Sequence, residues 1–389
     1  MALLAGSMQV AYGQLSDVLN VTTKLDMKYD SNIFDLPPDA DTAALIGRSS
    51  AGTFVYTEQA DLVFDKTVSL QHFKVDLSAS HQSFQDFHYL DFSALNYVAD
   101  WQWQLAPRLS GTIGASRQEQ LGDYADFQEY SVRNLETANE EHFTFDMIGT
   151  THWHLVGGVA RYSLDNPDAF TQVGSFVENS GELGVKYVAS SGNDISLVFR
   201  DAVGNFNRDA QVDGLLDNHY TLRRVRLVAD YQLSGHTTMQ ALVGYSDRRS
   251  GDFAQRDFQG PIGSVSLDWT PTGKTEMTLS YVHDLIDYEE DTSSYYLTNI
   301  LRFTPVWHAT SKLSVSGVFE AGYDSFRQPI QPTPELRADK VFNASLKLEY
   351  KPLRSVALSL YGQWRKRISN TSTYGYSGTV VGVTGSFTF

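Results

Sequence analysis

Apolar and polar residues alternate with a period of two along most of this chain. Leu346, Leu348 and Tyr350 share one parity, and Ser345, Lys347 and Glu349 the other. Val356, Leu358 and Leu360 alternate with Ser359, Tyr361 and Gln363, and Leu313, Val315, Gly317 and Phe319 with Ser314, Ser316 and Glu320. Strict period two describes strands with one apolar and one polar face. Helix-type spacing persists nowhere for long.

Large aromatics recur just before short turns. LDWTPTGKT (267–275) is the clearest case, with Trp269 ahead of Pro271 and Gly273. Phe64, Trp103, Trp153 (before Gly157-Gly158), Tyr187, Tyr231, Trp307 and Tyr350 occupy similar places, and Phe389 ends the chain. Neighbours are spaced by roughly 40 residues, the length of a hairpin of two long strands with a turn and a loop. Aromatics at one height on every second strand form a ring, and Tyr and Trp favour a membrane–water interface. The pattern predicts a periplasmic aromatic girdle.

The turns divide the chain into about eighteen strands, with sixteen to twenty allowed. They fall near 20–30, 52–65, 68–82, 90–105, 108–120, 140–155, 156–164, 178–189, 192–203, 218–233, 236–247, 258–270, 273–286, 295–309, 311–324, 338–350, 354–367 and 376–389. Longer loops are expected near 31–51, 121–139, 165–177, 204–217 and 325–337. The fold class predicted is all-β: a closed antiparallel transmembrane β-barrel with short periplasmic turns and longer extracellular loops. Closure follows from physics, because hydrocarbon leaves no partner for an open sheet edge. The last segment, GTVVGVTGSFTF, places Thr379, Val381, Val383, Gly385, Phe387 and Phe389 on one face. A terminal phenylalanine on such a strand suits insertion by a barrel-assembly machinery.

Composition agrees and removes alternatives. The 389 residues include no cysteine, so disulfides and thiolate metal sites are excluded. No run approaches the roughly 20 apolar residues of a membrane-spanning helix, a test that does not detect barrels. The formal net charge of −16 disfavours a nucleic-acid partner. MALLAGSMQVAYG resembles part of a secretory signal, so 1–13 reads as a residual signal-like segment and 14–389 as one barrel domain.

If the apolar parity faces lipid, the other parity faces a lumen. It carries Lys74, Asp76, Lys186, Arg200, Arg224, Arg226, Asp230 and Asp268, then Arg302, Glu320, Lys347, Glu349, Tyr361, Arg365 and Arg367. Barrels of about 16–18 strands enclose water, which keeps such charges hydrated. These groups suit contact with a passing solute, or pairing across strands that stiffens the wall. His152 and His154 point the same way on a strand, but two imidazoles are too few for a structural zinc site. No nucleophile elbow, P-loop or HExxH occurs, so neither an enzyme nor a cofactor is expected. The acidic stretch Asp287 to Asp291 suits divalent ions bridging lipopolysaccharide.

Several stretches resemble the EpsL-type outer-membrane proteins of exosortase-associated exopolysaccharide clusters. They are YDSNIFDLP (29–37), FHYLDFSALNYVADWQWQL (87–105), ADFQEYSVRNLET (125–137), SGNDISLVFR (191–200), RDFQGPIGSVSLDWTPTGK (256–274), EDTSSYYLTN (290–299) and YKPLRSVALSLYGQWRKR (350–367). The resemblance implies an outer-membrane barrel tied to biosynthesis and export of an extracellular polysaccharide. Its partners would be outer-membrane lipid, lipopolysaccharide and periplasmic export components. It assigns no role to a single residue. The leading expectation is a passive export channel whose polymer touches Arg226, Arg302, Tyr361 and Arg365. The alternatives are a general diffusion porin for small solutes and a structural or adhesive barrel.

Overall fold

A computed structural model of the chain describes residues 18–167, 174–207, 217–288, 293–329, 333 and 335–389. The signal-like segment 1–13 lies outside the described residues, as do Glu289, Glu290 and Asp291 of the acidic stretch. Eighteen strands make up the wall: β1 (Leu19–Asp30), β2 (Thr53–Val68), β3 (Gln71–Phe84), β4 (Phe92–Ala106), β5 (Leu109–Leu121) and β6 (Leu135–Ile148). Next come β7 (Trp153–Asp165), β8 (Phe176–Val188), β9 (Asp194–Phe206), β10 (His219–Ser234), β11 (Thr237–Ser250) and β12 (Phe258–Thr272). The last six are β13 (Thr275–Asp287), β14 (Tyr295–His308), β15 (Leu313–Arg327), β16 (Ala338–Leu353), β17 (Val356–Ser369) and β18 (Tyr376–Thr388). Each strand pairs antiparallel with its sequence neighbours, and β1 pairs with both β2 and β18, so the sheet is a closed ring. At the seam the Phe389 N–H donates to the Val21 carbonyl at 2.9 Å. No helix among the described residues is long and apolar enough to cross a membrane.

The connections alternate in length. Two to five residues join β2 to β3, β4 to β5 and every later pair at that end, whereas the other end carries the longer segments 31–52, 122–134 and 328–337. At the short end the ladder slips by one residue at Gln104/Ala106, Gln232/Ser234, Trp269/Thr272 and Tyr350/Leu353. Such bulges bend a strand and end its pairing, and they accommodate Pro271 and Pro352, which have no N–H for a ladder.

Two of the expected boundaries are corrected. The pair placed at 140–155 and 156–164 is β6 and β7, with the turn at 149–152 rather than at Gly157-Gly158. Trp153 therefore follows its turn. Both glycines sit mid-strand because their neighbours leave no room. A Cβ on Gly157 would lie 2.8 Å from the Glu182 carbonyl oxygen and 2.9 Å from the Phe145 ring. The loop expected at 121–139 is likewise shorter, since β6 begins at Leu135.

The register carries one parity around the whole ring, and chords between distant strands show which side is concave. Arg224 on β10 reaches Asp284 on β13, and Arg226 on β10 reaches Glu182 on β8. Such contacts between non-adjacent strands lie inside the barrel, so the charged parity faces the lumen. The opposite parity exposes Leu25, Val159, Val243, Leu346, Leu360 and Val381. Exposed apolar side chains at every second position of a closed sheet form the surface that hydrocarbon covers.

Candidate functional site

All fifteen charged or phenolic positions read from the sequence project inward, and most are bonded to another wall residue. Arg200 meets Glu178 at 2.8 Å, Arg226 meets Glu182 at 2.6 Å and Arg302 meets Glu320 at 2.6 Å. Lys74 pairs with Asp76 at 3.1 Å, Lys347 with Glu349 at 3.1 Å, and Lys186 with Asp146. The Tyr361 hydroxyl lies 3.0 Å from both carboxylate oxygens of Asp26, and Thr278 donates to Asp268 at 2.6 Å. Asp230 stands directly across from Asp194, two like charges on facing positions. Most of these pairs are partly solvated, so each contributes little to stability and mainly fixes where charge is presented.

His152 and His154 do not come together as a metal pair. His152 lies in the turn, where Nδ1 meets the Val188 carbonyl at 2.8 Å and the ring packs on Tyr187. His154 faces the lumen and bonds Asp146 at 2.7 Å.

The aromatics of the short-turn end all project outward. Trp153, Tyr187, Tyr231, Trp269, Trp307, Tyr350 and Phe389 are exposed, and Phe64 is half-buried. Trp103 departs from the wet-rim expectation. It is 5 % exposed, stacked on Phe143 at 5.7 Å, and its indole nitrogen has no hydrogen-bond partner in the structure. Gly111 lies directly across from Trp103, and a glycine there leaves the space that the flat ring fills.

The loop end is where the lumen narrows. Segment 31–52 contains helix α1 (Thr42–Ile46), and segment 122–134 contains helix α2 (Tyr124–Phe127). Both fold inward. Phe34, Leu36, Phe87, Leu90, Tyr124 and Tyr130 pack with the inward wall residues Val55, Phe84, Phe92 and Ala94 in one buried cluster. The Phe34 ring meets Phe87 at 4.9 Å and Tyr124 at 5.3 Å, both edge to face. Asn32 shapes the first loop: its side chain donates to the Leu36 carbonyl and accepts from the Leu36 N–H, each at 2.9 Å. Asp35 follows with φ 49°, a left-handed conformation unusual outside glycine.

Three arginines tie this inward pack to the β16–β17 side of the wall. Arg365 bonds Asp35 at 2.8 Å and Asp30 at 3.0 Å. Arg367 bonds Asp126 at 2.8 Å and Asp123 at 3.3 Å. Arg337 bonds Asp339 at 2.6 Å and Asp126 at 2.7 Å, and its guanidinium stacks over the Tyr374 ring at 3.7 Å and the Phe326 ring at 4.2 Å. Strands β18, β1, β2, β3 and β4 lie between β17 and β5 around the ring, so the α2 contact with Arg367 spans the lumen. Burying these charges is unfavourable, and only the full set of partners offsets it. Burial pushes the Asp35 carboxyl up to about 6, although Arg365 pulls the other way. Burial raises Asp123 as well, reinforced by Asp126 and opposed by Arg367.

Arg365 and Arg367 were legible as inward residues, but their acids were not, nor was Arg337. Asp30, Asp35, Asp123 and Asp126 lie in or beside stretches that read as solvated loops. One signal was available: Ile33, Phe34, Leu36, Tyr124 and Tyr130 are too apolar for a loop that stays in water.

A closed 18-stranded barrel with an apolar outer belt and a charged interior is the architecture of a bacterial outer-membrane β-barrel of the porin-like kind. Residues 225–388 match the family model described as "Putative beta-barrel porin 2". A comparison with curated proteins finds no match. Among solved structures, OccAB3 of Acinetobacter baumannii is similar with a TM-score of 0.51 and 9% identity, over 95% of this chain and 99% of that one. OccK2 (OpdF) of Pseudomonas aeruginosa gives 0.50 at 11% identity over 95% and 97%, and OccK9 (OpdG) of the same organism 0.50 at 12% over 95% and 98%. At such identities the likeness is one of fold.

Proposed function

We propose that the barrel is a passive pore for small polar solutes, with the arginine-clamped loop pack as its size and charge filter. The observation that carries this reading is the chord of ion pairs from Arg337, Arg365 and Arg367 to the inward loops. It narrows the lumen at the loop end. Below the mouth the wall offers alternating acids and bases, which favour hydrated polar solutes over apolar ones. OccK2 has been solved in complex with glucuronate, which makes a uronate a reasonable first probe beside neutral sugars of graded size. The test is single-channel conductance in planar bilayers combined with liposome swelling. Steady conductance and a sharp cut-off in sugar size support the filter. A barrel without measurable conductance would overturn it.

Export of an extracellular polysaccharide is the second reading, favoured by the stretches that resemble EpsL-type proteins. It requires the clamped loops to swing clear of a polymer chain. Deleting the gene and assaying surface and periplasmic polysaccharide separates the two. Loss of the surface polymer supports export, and unchanged polymer supports the small-solute pore.

A further inference from the structure

The outer face is not uniform around the barrel. From β12 through β18 and on to β1, the charged side chains on the outward parity, among those described, are Arg327, Lys340 and Lys366, all toward the loop end. From β6 to β11 the same parity carries Glu141, Arg161, Asp165, Asp201, Arg223, Asp247 and Arg249, and β5 beside them carries Arg117 and Glu119; Glu58 faces outward on β2. Glu141 lies six residues above Met147, and Asp201 six above Ile195. Six residues rise about 20 Å along a strand, or about 15 Å at a tilt near 40°, against an apolar belt expected to be about 25 Å tall. Charges therefore sit where lipid tails would reach along much of this side, whereas β12 to β1 keep theirs toward the loop end.

These charges are ordered. Glu141, Arg161 and Asn179 are direct cross-strand neighbours. One step nearer the short-turn end, Gly181, Asp201, Arg223 and Asp247 form the next row. Arg223 bonds Asp201 at 3.0 Å and Arg249 bonds Asp247 at 2.7 Å, whereas exposed Arg161 forms no ion pair among the described residues. Directly beneath lies an apolar groove of about 370 Å³, lined by Phe143, Phe145, Val159, Gly181, Leu183 and Phe199. The groove exists because Gly181 presents no side chain between exposed Val159, Leu183 and Phe199.

We propose that this face, centred on β7 and β8, docks a second copy of the chain. The rows alternate acids (Glu141, Asp201, Asp247) with arginines (Arg161, Arg223, and Arg249 at the far end of the first row), and this alternation makes the patch complementary to itself about a two-fold axis, as an isologous contact requires. Packed face to face, Arg161 of each copy meets Glu141 or Asp201 of the other, and the ridges of Val159 and Phe199 enter the opposing groove. A phosphate-bearing lipid fits less well, because the interleaved acids repel it.

Cysteine cross-linking in native outer membranes tests the proposal cleanly, since the chain contains no cysteine. Val159→Cys, and Leu183→Cys as a second probe should the first fail to insert, is expected to yield a disulfide-linked dimer on mild oxidation. Leu360→Cys, on the far side, is expected to yield none. A Cβ at Gly181 has no neighbour closer than 4.0 Å, so Gly181→Trp fills the groove without disturbing the barrel and abolishes the cross-link, as does Arg161→Glu. Heat-modifiable migration in gels verifies that each variant is folded. Equal cross-linking at positions 159 and 360, or none at 159 and 183 in folded barrels, overturns the proposal. So does a monomer that retains lipopolysaccharide until Arg161 is replaced, which would assign the patch to lipid.

Discussion

At the short-turn end the wall is finished by side chains that meet at most one or two ring neighbours. Trp269, Trp307, Tyr350 and Phe389 each stand outward on their own strand, exposed and spaced around the ring. At the loop end the structure is collective. Phe34 and Tyr124 from separate loops share one buried cluster, and Asp126 serves both Arg337 and Arg367. Loss of one member should therefore be local at the first end and spread at the second.

The largest effect is expected for Arg367→Ala. It strips Asp126 and Asp123 of a charged partner in a site where the Arg367 side chain is 10 % exposed. Breaking a buried ion pair by removing one partner costs about 3–5 kcal/mol. Here that cost falls on loop docking, because the strand ladder is untouched. Single-channel conductance should rise and become noisier, while the unfolding midpoint in urea changes far less. If Asp126→Asn produces the same rise and the double variant adds nothing, the two groups act as one unit. Independent, additive effects would show that the mouth is no more cooperative than the rim.

Asp35 faces Arg365, with Asp30 and Asp123 as the nearby acids, and its carboxyl is raised from 3.8 to about 6. In the unfolded chain the group ionises near the lower value. Between about pH 4 and 6 the folded state therefore holds a proton that the unfolded state has released, and stability falls as pH rises through that window. Above 6 the buried carboxylate is charged, and its bond to Arg365 only partly offsets the burial. Acidification through 6 should therefore tighten the docked first loop and lower conductance, with a midpoint near 6. Asp35→Asn should remove the midpoint. A midpoint that persists in that variant would assign the titration to another group.

Why one end was readable from the sequence and the other was not follows from the same contrast. A strand facing lipid on one side and water on the other repeats every two residues, so strand number, closure and the inward parity of Arg224, Arg226 and Arg302 were all legible. The rim was legible because Trp269 and Tyr350 each sit beside their own turn. Gly157-Gly158 misled, since a glycine pair beside a tryptophan resembles a turn until Phe145 and the β8 backbone are seen to crowd it. The mouth had no such periodicity. The bond from Arg367 to Asp126 joins positions 241 residues apart, and nothing local to either residue encodes it. The outer charges of β6 to β9 were hidden for a related reason: Glu141, Arg161 and Asp201 interrupt their strands singly and form a patch only once the ring closes.

A smaller effect is expected at the rim. Trp269→Ala removes one exposed aromatic from a ring of several, and its neighbours in the ladder, Thr237 and Met277, keep their backbone pairing. An amphipathic aromatic at an interface contributes on the order of 1 kcal/mol. The unfolding midpoint in lipid should fall slightly, with conductance unchanged. Trp103→Ala should cost more, because this ring is buried against Phe143 rather than solvated. Equal losses for the two tryptophans would mean that lipid, not the Phe143 ring, supplies most of what Trp103 gains.

The smallest effect should come from Lys347→Gln. Lys347 pairs with Glu349 at 3.1 Å, with side chains 41% and 21% exposed, and Lys351 also reaches Glu349 at 2.9 Å. Partly solvated pairs contribute about 0–1 kcal/mol, and here a second lysine remains to neutralise the acid. Neither stability nor conductance should move beyond error at physiological salt. Ion selectivity, read from the reversal potential in a salt gradient, should shift slightly toward cations, because one positive charge leaves the lumen wall. A large change in conductance would place the narrowest point of the pore at β16 rather than at the mouth. The contrast between a cooperative mouth and independent wall positions would then have to be redrawn around that strand.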